Sequence, residues 1–357
     1  MGILEVNWRS CTITRQLVLA LCTCHFGSCW SKSARKLYPT SLKQGTLARN
    51  ASAPSEDVHV VFCVDRGMKG MLKAVSSVQM HCKDEKQNIV FHVVTMSDAV
   101  QRVDCALRCM AKSAPISFHT YLFDHAACFQ NITFRVHNRL QRSYGLQNPL
   151  NFARFCLHKI LPWQDGSFRK VLYLDTDVLA QACVGKLYNS YLNVDSKFAV
   201  AAANPGGPIG PRYVKWDSQF VKDWNAWRPF KVHRQLLDVN AGVLLIDLFN
   251  FEQQEILADV LYWIVANNKE HMYSYGSQPP LVLGLAGRME LFGKEWNQFG
   301  LGYKHVHSSI IKSAKILHWT GRRKPWTSKA MKEYQSIWTA TPLPIDCELI
   351  VTDTHDH

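Results

Sequence analysis

The stretch VLYLDTD, residues 171–177, decides how the rest of the chain is read. Val171, Leu172, Tyr173 and Leu174 form an unbroken apolar and aromatic run, the pattern of a strand buried on both faces of a largely parallel sheet. The run stops at Asp175-Thr176-Asp177. Open α/β sheets bind ligands at the carboxyl ends of their strands, so two carboxylates delivered there are placed for chemistry. Residues i and i+2 of an extended segment point the same way, and Asp175 and Asp177 can therefore share one divalent cation. Oxygen donors favour Mg²⁺ or Mn²⁺ over zinc, and such an ion would neutralise a diphosphate. The competing reading, with Asp175 capping a turn and Asp177 in water, is the weaker one after a buried strand.

Working outward, strand and helix signals alternate. VHVVFCV (58–64), NIVFHVVT (88–95) and residues 116–121 read as strands, with helices predicted over 69–82 and 98–110 between them. This alternation implies a parallel sheet with helices on both faces. A helix is predicted over 152–160, further strands over 198–203, 239–248 and 316–318, and a helix over 251–266. The expectation is a single α/β domain over 57–340, with an acidic, loose tail over 341–357.

HWTGRRKPW (318–326) closes the last short strand. His318 at that strand end can offer a neutral imidazole to the same metal. Gly321 permits close backbone approach, and Lys324 offers a point charge to a phosphate. Two enzyme classes use an Asp-x-Asp after a strand: metal-dependent nucleotide-sugar transferases, and haloacid-dehalogenase-type phosphatases, in which Asp175 would be the nucleophile. The phosphatase reading needs this strand near the start of its domain. Three strand candidates precede it here, so the transferase reading leads.

Taken together, these pieces resemble glycosyltransferase family 8, and within it the animal family-8 domain-containing proteins. The resemblance is carried by VVFCVD (60–65), NFARF (151–155), VLYLDTDVL (171–179), VNAGV (239–243) and HWTGRRKPW (318–326), in order from about residue 57 to 340. It implies a Rossmann-like GT-A fold, a UDP-sugar donor, Mn²⁺ (or Mg²⁺) and transfer to a hydroxyl acceptor, a glycan or glycoprotein, with retention. Carried over residue by residue, Asp175, Asp177 and His318 match the metal ligands, with Thr176 between them in the donor site. Gly321 and Lys324 match the diphosphate loop. Val64 and Asp65 match the strand end at uracil and ribose, and Arg154 an arginine that orients donor and aspartate. Asn240, Ala241 and Gly242 match the loop beside the donor sugar, and Gln278 falls near the anomeric carbon. Gln278, Asn240 and Arg154 are thus the candidate catalytic residues. Two departures stand out: Ser277-Gln278-Pro279-Pro280 lacks the acids that flank this glutamine in relatives, and Arg66-Gly67-Met68 replaces a polar-aromatic run. The altered triplet keeps open a transferase-like protein that binds UDP-sugar or glycan without turnover.

The chain of 357 residues carries a net charge of +13, which taken alone suggests an anionic partner. Residues 1–50 hold seven basic groups against Glu5, so +6 of that excess lies there and 13 − 6 = +7 remains. The uncharged run between Arg15 and Lys32 reads as a signal anchor or cleaved signal peptide over 1–31, followed by a Ser/Lys/Pro/Gly-rich stem over 32–56. Sequons at Asn50 and Asn131 agree with a secretory lumen. The expectation is therefore a type II protein of the Golgi or endoplasmic reticulum with the membrane as partner through its N-terminal segment, or a secreted one. Of twelve cysteines, Cys63 and Cys156 read as core thiols, and no zinc spacing occurs. Nothing in the sequence has the form of a nucleic-acid module.

Overall fold

The computed structural model describes residues 57–347, apart from 66, 86, 131, 136–147, 205 and 345; these belong to one compact unit spanning 54–357. The described strands, in chain order, are β1 (Val58–Cys63), β2 (Ile89–Thr95), β3 (Ser117–Leu122), β4 (Lys170–Leu174), β5 (Val178–Ala180), β6 (Val200–Ala203), β7 (Val243–Asp247), β8 (Met289–Phe292), β9 (Gln298–Phe299) and β10 (Ile316–His318). Seven form the central sheet in the order β3-β2-β1-β4-β7-β6-β8, and β5-β10-β9 form a small second sheet. The run β3-β2-β1-β4 is parallel, whereas β7 is antiparallel to both β4 and β6.

Parallel neighbours need crossovers, and the helix Met68–Cys82 provides the first. Its Met68, Met71, Leu72, Val75, Val78 and Cys82 are all buried, a helical spacing that lays one apolar stripe on the sheet. They join Val60, Phe62, Phe91, Val93, Leu172 and Leu174 in the main core. Every residue of β2 and of β7 is buried, as expected of strands inside a sheet covered on two sides.

Several elements differ from the sequence expectation. The predicted helix over 251–266 is broken: Leu248–Gln253 ends, Glu255 takes a left-handed φ of 53°, and Ile256–Glu270 begins. The predicted helix over 152–160 is a 3₁₀ segment, Pro149–Phe155, followed by one α turn, Leu157–Ile160. Asn148 caps the 3₁₀ segment by accepting from the Leu150 N–H at 2.9 Å. β7 starts only at Val243 because Ala241 and Gly242 form a turn before it. β5, β8 and β9 are too short or too exposed to leave a periodic signature.

Cysteine pairing corrects the core-thiol reading of Cys156. It bonds Cys128, while Cys82 bonds Cys183 and Cys109 bonds Cys347. Cys63 stays free, and burial pushes its pKa up to about 12, which keeps it a protonated, unreactive thiol. Cys347 is fully buried, so the tail expected to be loose is pinned at that residue. The membrane expectation is also corrected. No helix among the described residues is long and apolar enough to cross a membrane. The expected anchor (1–31), stem (32–56), the Asn50 sequon, Asn131, Arg66 and the tail beyond Cys347 lie outside the described residues.

The sheet face opposite the main core carries a histidine pair. His59 Nδ1 and His92 Nε2 share a hydrogen bond at 2.9 Å, and His92 Nδ1 meets the Tyr121 hydroxyl at 3.0 Å. His59 also stacks on Phe168 at 4.2 Å. Desolvation lowers the pKa of His59 to about 4 against the opposing charge of Asp57, and desolvation with the His59 and His119 imidazoles lowers that of His92 to about 3.

Two predictions follow from this architecture. Replacing Cys109 and Cys347 together by serine should cost about 2–5 kcal/mol of stability, read as a lower urea midpoint; an unchanged midpoint would contradict the pairing. For the histidines, the folded pKa lies below the unfolded value near 6.5. Their contribution is therefore complete above pH 6.5 and is lost as pH falls toward 4 and then 3. The melting temperature should drop between pH 7 and pH 4.5, and His92→Phe should flatten that drop.

Candidate active site

Strand register assembles the site. Leu174 faces Val243 across the antiparallel β4–β7 pair. The residues leaving β4 and those entering β7 therefore meet at one sheet edge, where the Asp175 N–H donates to the Gly242 carbonyl at 2.8 Å. In the small sheet, His318 faces Val178, and the Trp319 N–H donates to the Asp177 carbonyl at 2.9 Å. Two separate pairings thus bring His318 against both aspartates.

Donor atoms of Asp175, Asp177 and His318 all lie within 4.8 Å of one another. His318 Nε2 is 3.3 Å from Asp177 Oδ1 and 3.7 Å from Asp175 Oδ2. Each carboxylate has its other oxygen held from outside. Asp175 Oδ1 accepts from the Tyr173 hydroxyl at 2.8 Å and from Arg154 at 3.2 Å. Asp177 Oδ2 accepts from the Lys324 ammonium. One oxygen of each aspartate and one imidazole nitrogen consequently converge on a common point. A Cβ at Gly242 would lie 2.1 Å from His318 Cε1 and 2.7 Å from Asp175 Oδ2, so only glycine leaves that point open. The donor set and the open space fit a hard divalent cation.

The imidazole is oriented by a residue that the sequence reading missed. Asn297 is buried, and its Nδ2 donates to the Asn240 carbonyl at 3.3 Å and to Asn240 Oδ1 at 3.1 Å. That leaves Asn297 Oδ1 as the acceptor 2.9 Å from His318 Nδ1. Nδ1 therefore carries the proton, and the Nε2 lone pair faces the aspartates. Burial alone would raise the Asp177 pKa. The Lys324 ammonium outweighs it and holds this carboxyl well below its ordinary value.

Arg154 is buried, lies 4.5 Å over the Tyr173 ring and donates to the Ala241 carbonyl as well as to Asp175. It ties β4 to the loop before β7. Asn240 Oδ1 accepts from the Gly242 N–H at 3.1 Å, and Gln278 Oε1 accepts from the Ala241 N–H at 3.1 Å. The Gln278 amide nitrogen donates to the Tyr213 hydroxyl and lies 3.5 Å from Asp238 Oδ1. Gly321 has a φ of 106°, and a Cβ there would sit 3.0 Å from the Tyr303 ring.

Val64 and Asp65 follow β1, which pairs in parallel with β4, so they lie along the same edge; the Asp65 carboxylate accepts from Asn148. Thr176 points elsewhere, packing against the start of Met68–Cys82, where a Cβ on Gly70 would meet its carbonyl at 2.6 Å. Asn297, Tyr213 and Asp238 were not singled out in advance. Asp238 had a readable signal, because Asp238-Val239-Asn240 repeats the i, i+2 arrangement of the Asp-x-Asp. Asn297, in KEWN before a two-residue strand, had none.

A mostly parallel α/β sheet whose central strand ends in a clustered Asp-x-Asp defines a GT-A glycosyltransferase. Residues 59–330 match the profile of glycosyl transferase family 8, and the chain belongs to that family. It is 27% identical over 317 residues to "Probable galacturonosyltransferase-like 9" of Arabidopsis thaliana, covering 86% of this chain and 74% of that protein. It is 24% identical over 321 residues to "Glycosyltransferase 8 domain-containing protein 1" of Danio rerio, covering 84% and 81%. The galactosyltransferase LgtC, solved with donor and acceptor sugar analogues, superposes with a TM-score of 0.58 at 18% identity, over 82% of this chain and all of that one. This last likeness is one of fold. The family assignment sets aside the phosphatase reading of Asp175.

Asn297→Ala should weaken Mn²⁺ binding about 10–100-fold, the usual effect of removing a partner behind a ligating histidine. Calorimetric titration of the metal checks it, and equal affinities in the two proteins would show that Asn297 does not orient His318.

Proposed function

We propose that this protein is a retaining glycosyltransferase that moves a sugar from a UDP-sugar to a hydroxyl of a glycan or glycoprotein, with Mn²⁺ or Mg²⁺ held by Asp175, Asp177 and His318. The convergence of those three side chains within 4.8 Å, beside Lys324, is the observation that carries the reading. A bound cation would supply positive charge to the diphosphate. Lys324 adds its ammonium to the charge that develops on departing UDP. Arg154 and Tyr173 hold Asp175 in place, and Asn297 holds His318. Gln278 has both ends of its amide engaged, and an amide is a poor nucleophile. Its role in this reading is to position the reacting sugar. Three disulfides support a secretory-lumen location, Golgi, endoplasmic reticulum or secreted.

Ser277 and Pro279 beside Gln278 favour one second reading, a UDP-sugar-binding protein without turnover. The protein with Mn²⁺ and a panel of UDP-sugars, galacturonic acid included because the plant relatives are named for it, distinguishes the two. We expect release of UDP from at least one donor. Metal-dependent UDP binding without turnover on any donor would select the second reading. Asp177→Ala should abolish Mn²⁺-dependent UDP binding, and binding that persists would contradict the ligand assignment.

A further inference from the structure

The loop that enters β7 carries three site-facing features at alternate positions: Asp238, Asn240 and Gly242. Gly242 lies against His318 and Asp175, whereas Asp238 lies at the other end, beside Gln278. Even fully extended, four residues would separate the ends by at most about 13 Å, and the turn at Ala241 and Gly242 brings them closer. With a diphosphate at Lys324 and the aspartates, as the reading above has it, this loop would lead from the diphosphate to Gln278 and Asp238 and offer the attached sugar a path there.

Asp238 is fixed there by its backbone. Its N–H donates to the Gly207 carbonyl at 3.1 Å, and its carbonyl accepts from Asn204 Nδ2 at 2.8 Å. The Tyr213 hydroxyl and the Val239 N–H face the carboxylate and favour its ionised form. Gln278 Nε2 approaches it at 3.5 Å. An ionised carboxylate offers about four acceptor sites and no donor, so it retains capacity on its partly exposed side. Burial raises its pKa, the mark of a poorly hydrated group that gains from further donors. Among the described residues no Lys, Arg or His forms an ion pair with it. Arg212, the cation at the neighbouring Tyr213–Tyr275 ring pair, gives its bond to the Tyr275 hydroxyl at 3.1 Å.

We propose that Asp238 is a specificity-determining residue that accepts hydrogen bonds from hydroxyls of the donor sugar, and that it selects neutral sugars over uronic acids. Hydroxyls donate to a carboxylate, while a uronate would set a second negative charge beside it. The chain would then differ in donor class from what the names of its plant relatives say. The inference rests on the UDP-sugar reading above and deepens it.

The test is equilibrium competition on the whole protein with Mn²⁺. The probes are UDP, UDP-glucose, UDP-galactose, UDP-xylose, UDP-glucuronic acid and UDP-galacturonic acid. At least one neutral donor should bind about tenfold or more tighter than either uronate, since like-charge juxtaposition is strongly discriminating. Asp238→Asn should leave UDP affinity within about twofold and shrink that gap to about threefold or less, while Asp238→Glu should keep the neutral preference. A uronate that binds the wild-type protein as tightly as the neutral donors overturns the proposal, as does an undiminished gap in Asp238→Asn. If Asp238→Asn also loses UDP binding, the wild-type panel and Asp238→Glu decide, and a uronate preference in either refutes it. Failure of wild-type protein to bind UDP with Mn²⁺ is a different result: it removes the transferase reading and this inference together.

Discussion

A carboxylate as buried as that of Asp177 stays ionised only when positive charge and hydrogen-bond donors replace its lost hydration. Lys324 provides that replacement from the short segment that also carries His318. The segment is in turn held by β10, which pairs antiparallel with β5 directly after the Asp-x-Asp. The small second sheet therefore has an electrostatic purpose: it carries the cationic loop to the acidic strand end. Without it, β4 would deliver Asp177 to the edge without the Lys324 ammonium that offsets its burial, while Asp175 would keep Arg154.

The same edge shows how one backbone loop serves several requirements. Residues 240–242 accept the Asp175 N–H, receive Arg154 at Ala241 and anchor Asn297 at Asn240. They also leave room at Gly242. Because these contacts share one short segment, a shift in the loop moves the histidine, the first aspartate and Gln278 together. That coupling explains why the antiparallel β7 lies next to β4. Only a strand that begins at this edge can place its preceding loop against residues that leave it.

Much of the fold was legible locally. The first three strands and the helices between them announce themselves by runs of Val, Ile and Phe and by apolar positions at helical spacing. The Asp-x-Asp is legible because both carboxylates belong to one extended segment, so their common direction follows from backbone geometry alone. Cys156 was misread because an apolar neighbourhood does not distinguish a core thiol from a buried disulfide. The decision rests on whether Cys128 is brought within bonding geometry. The helix over 251–266 was misread because the apolar period continues through Glu255, while the backbone breaks there.

The sequence by itself determined the alternation that makes an α/β sheet, the strand that ends in two carboxylates, and the candidate ligands at 175, 177 and 318. Each depends on residues a few positions apart. Tertiary structure alone decided which oxygen of each aspartate turns inward, which nitrogen of His318 carries its proton, and that Asp238 stands beside Gln278. Those outcomes come from hydrogen bonds between segments far apart in the chain, whose meeting is set by strand register and not by any local preference.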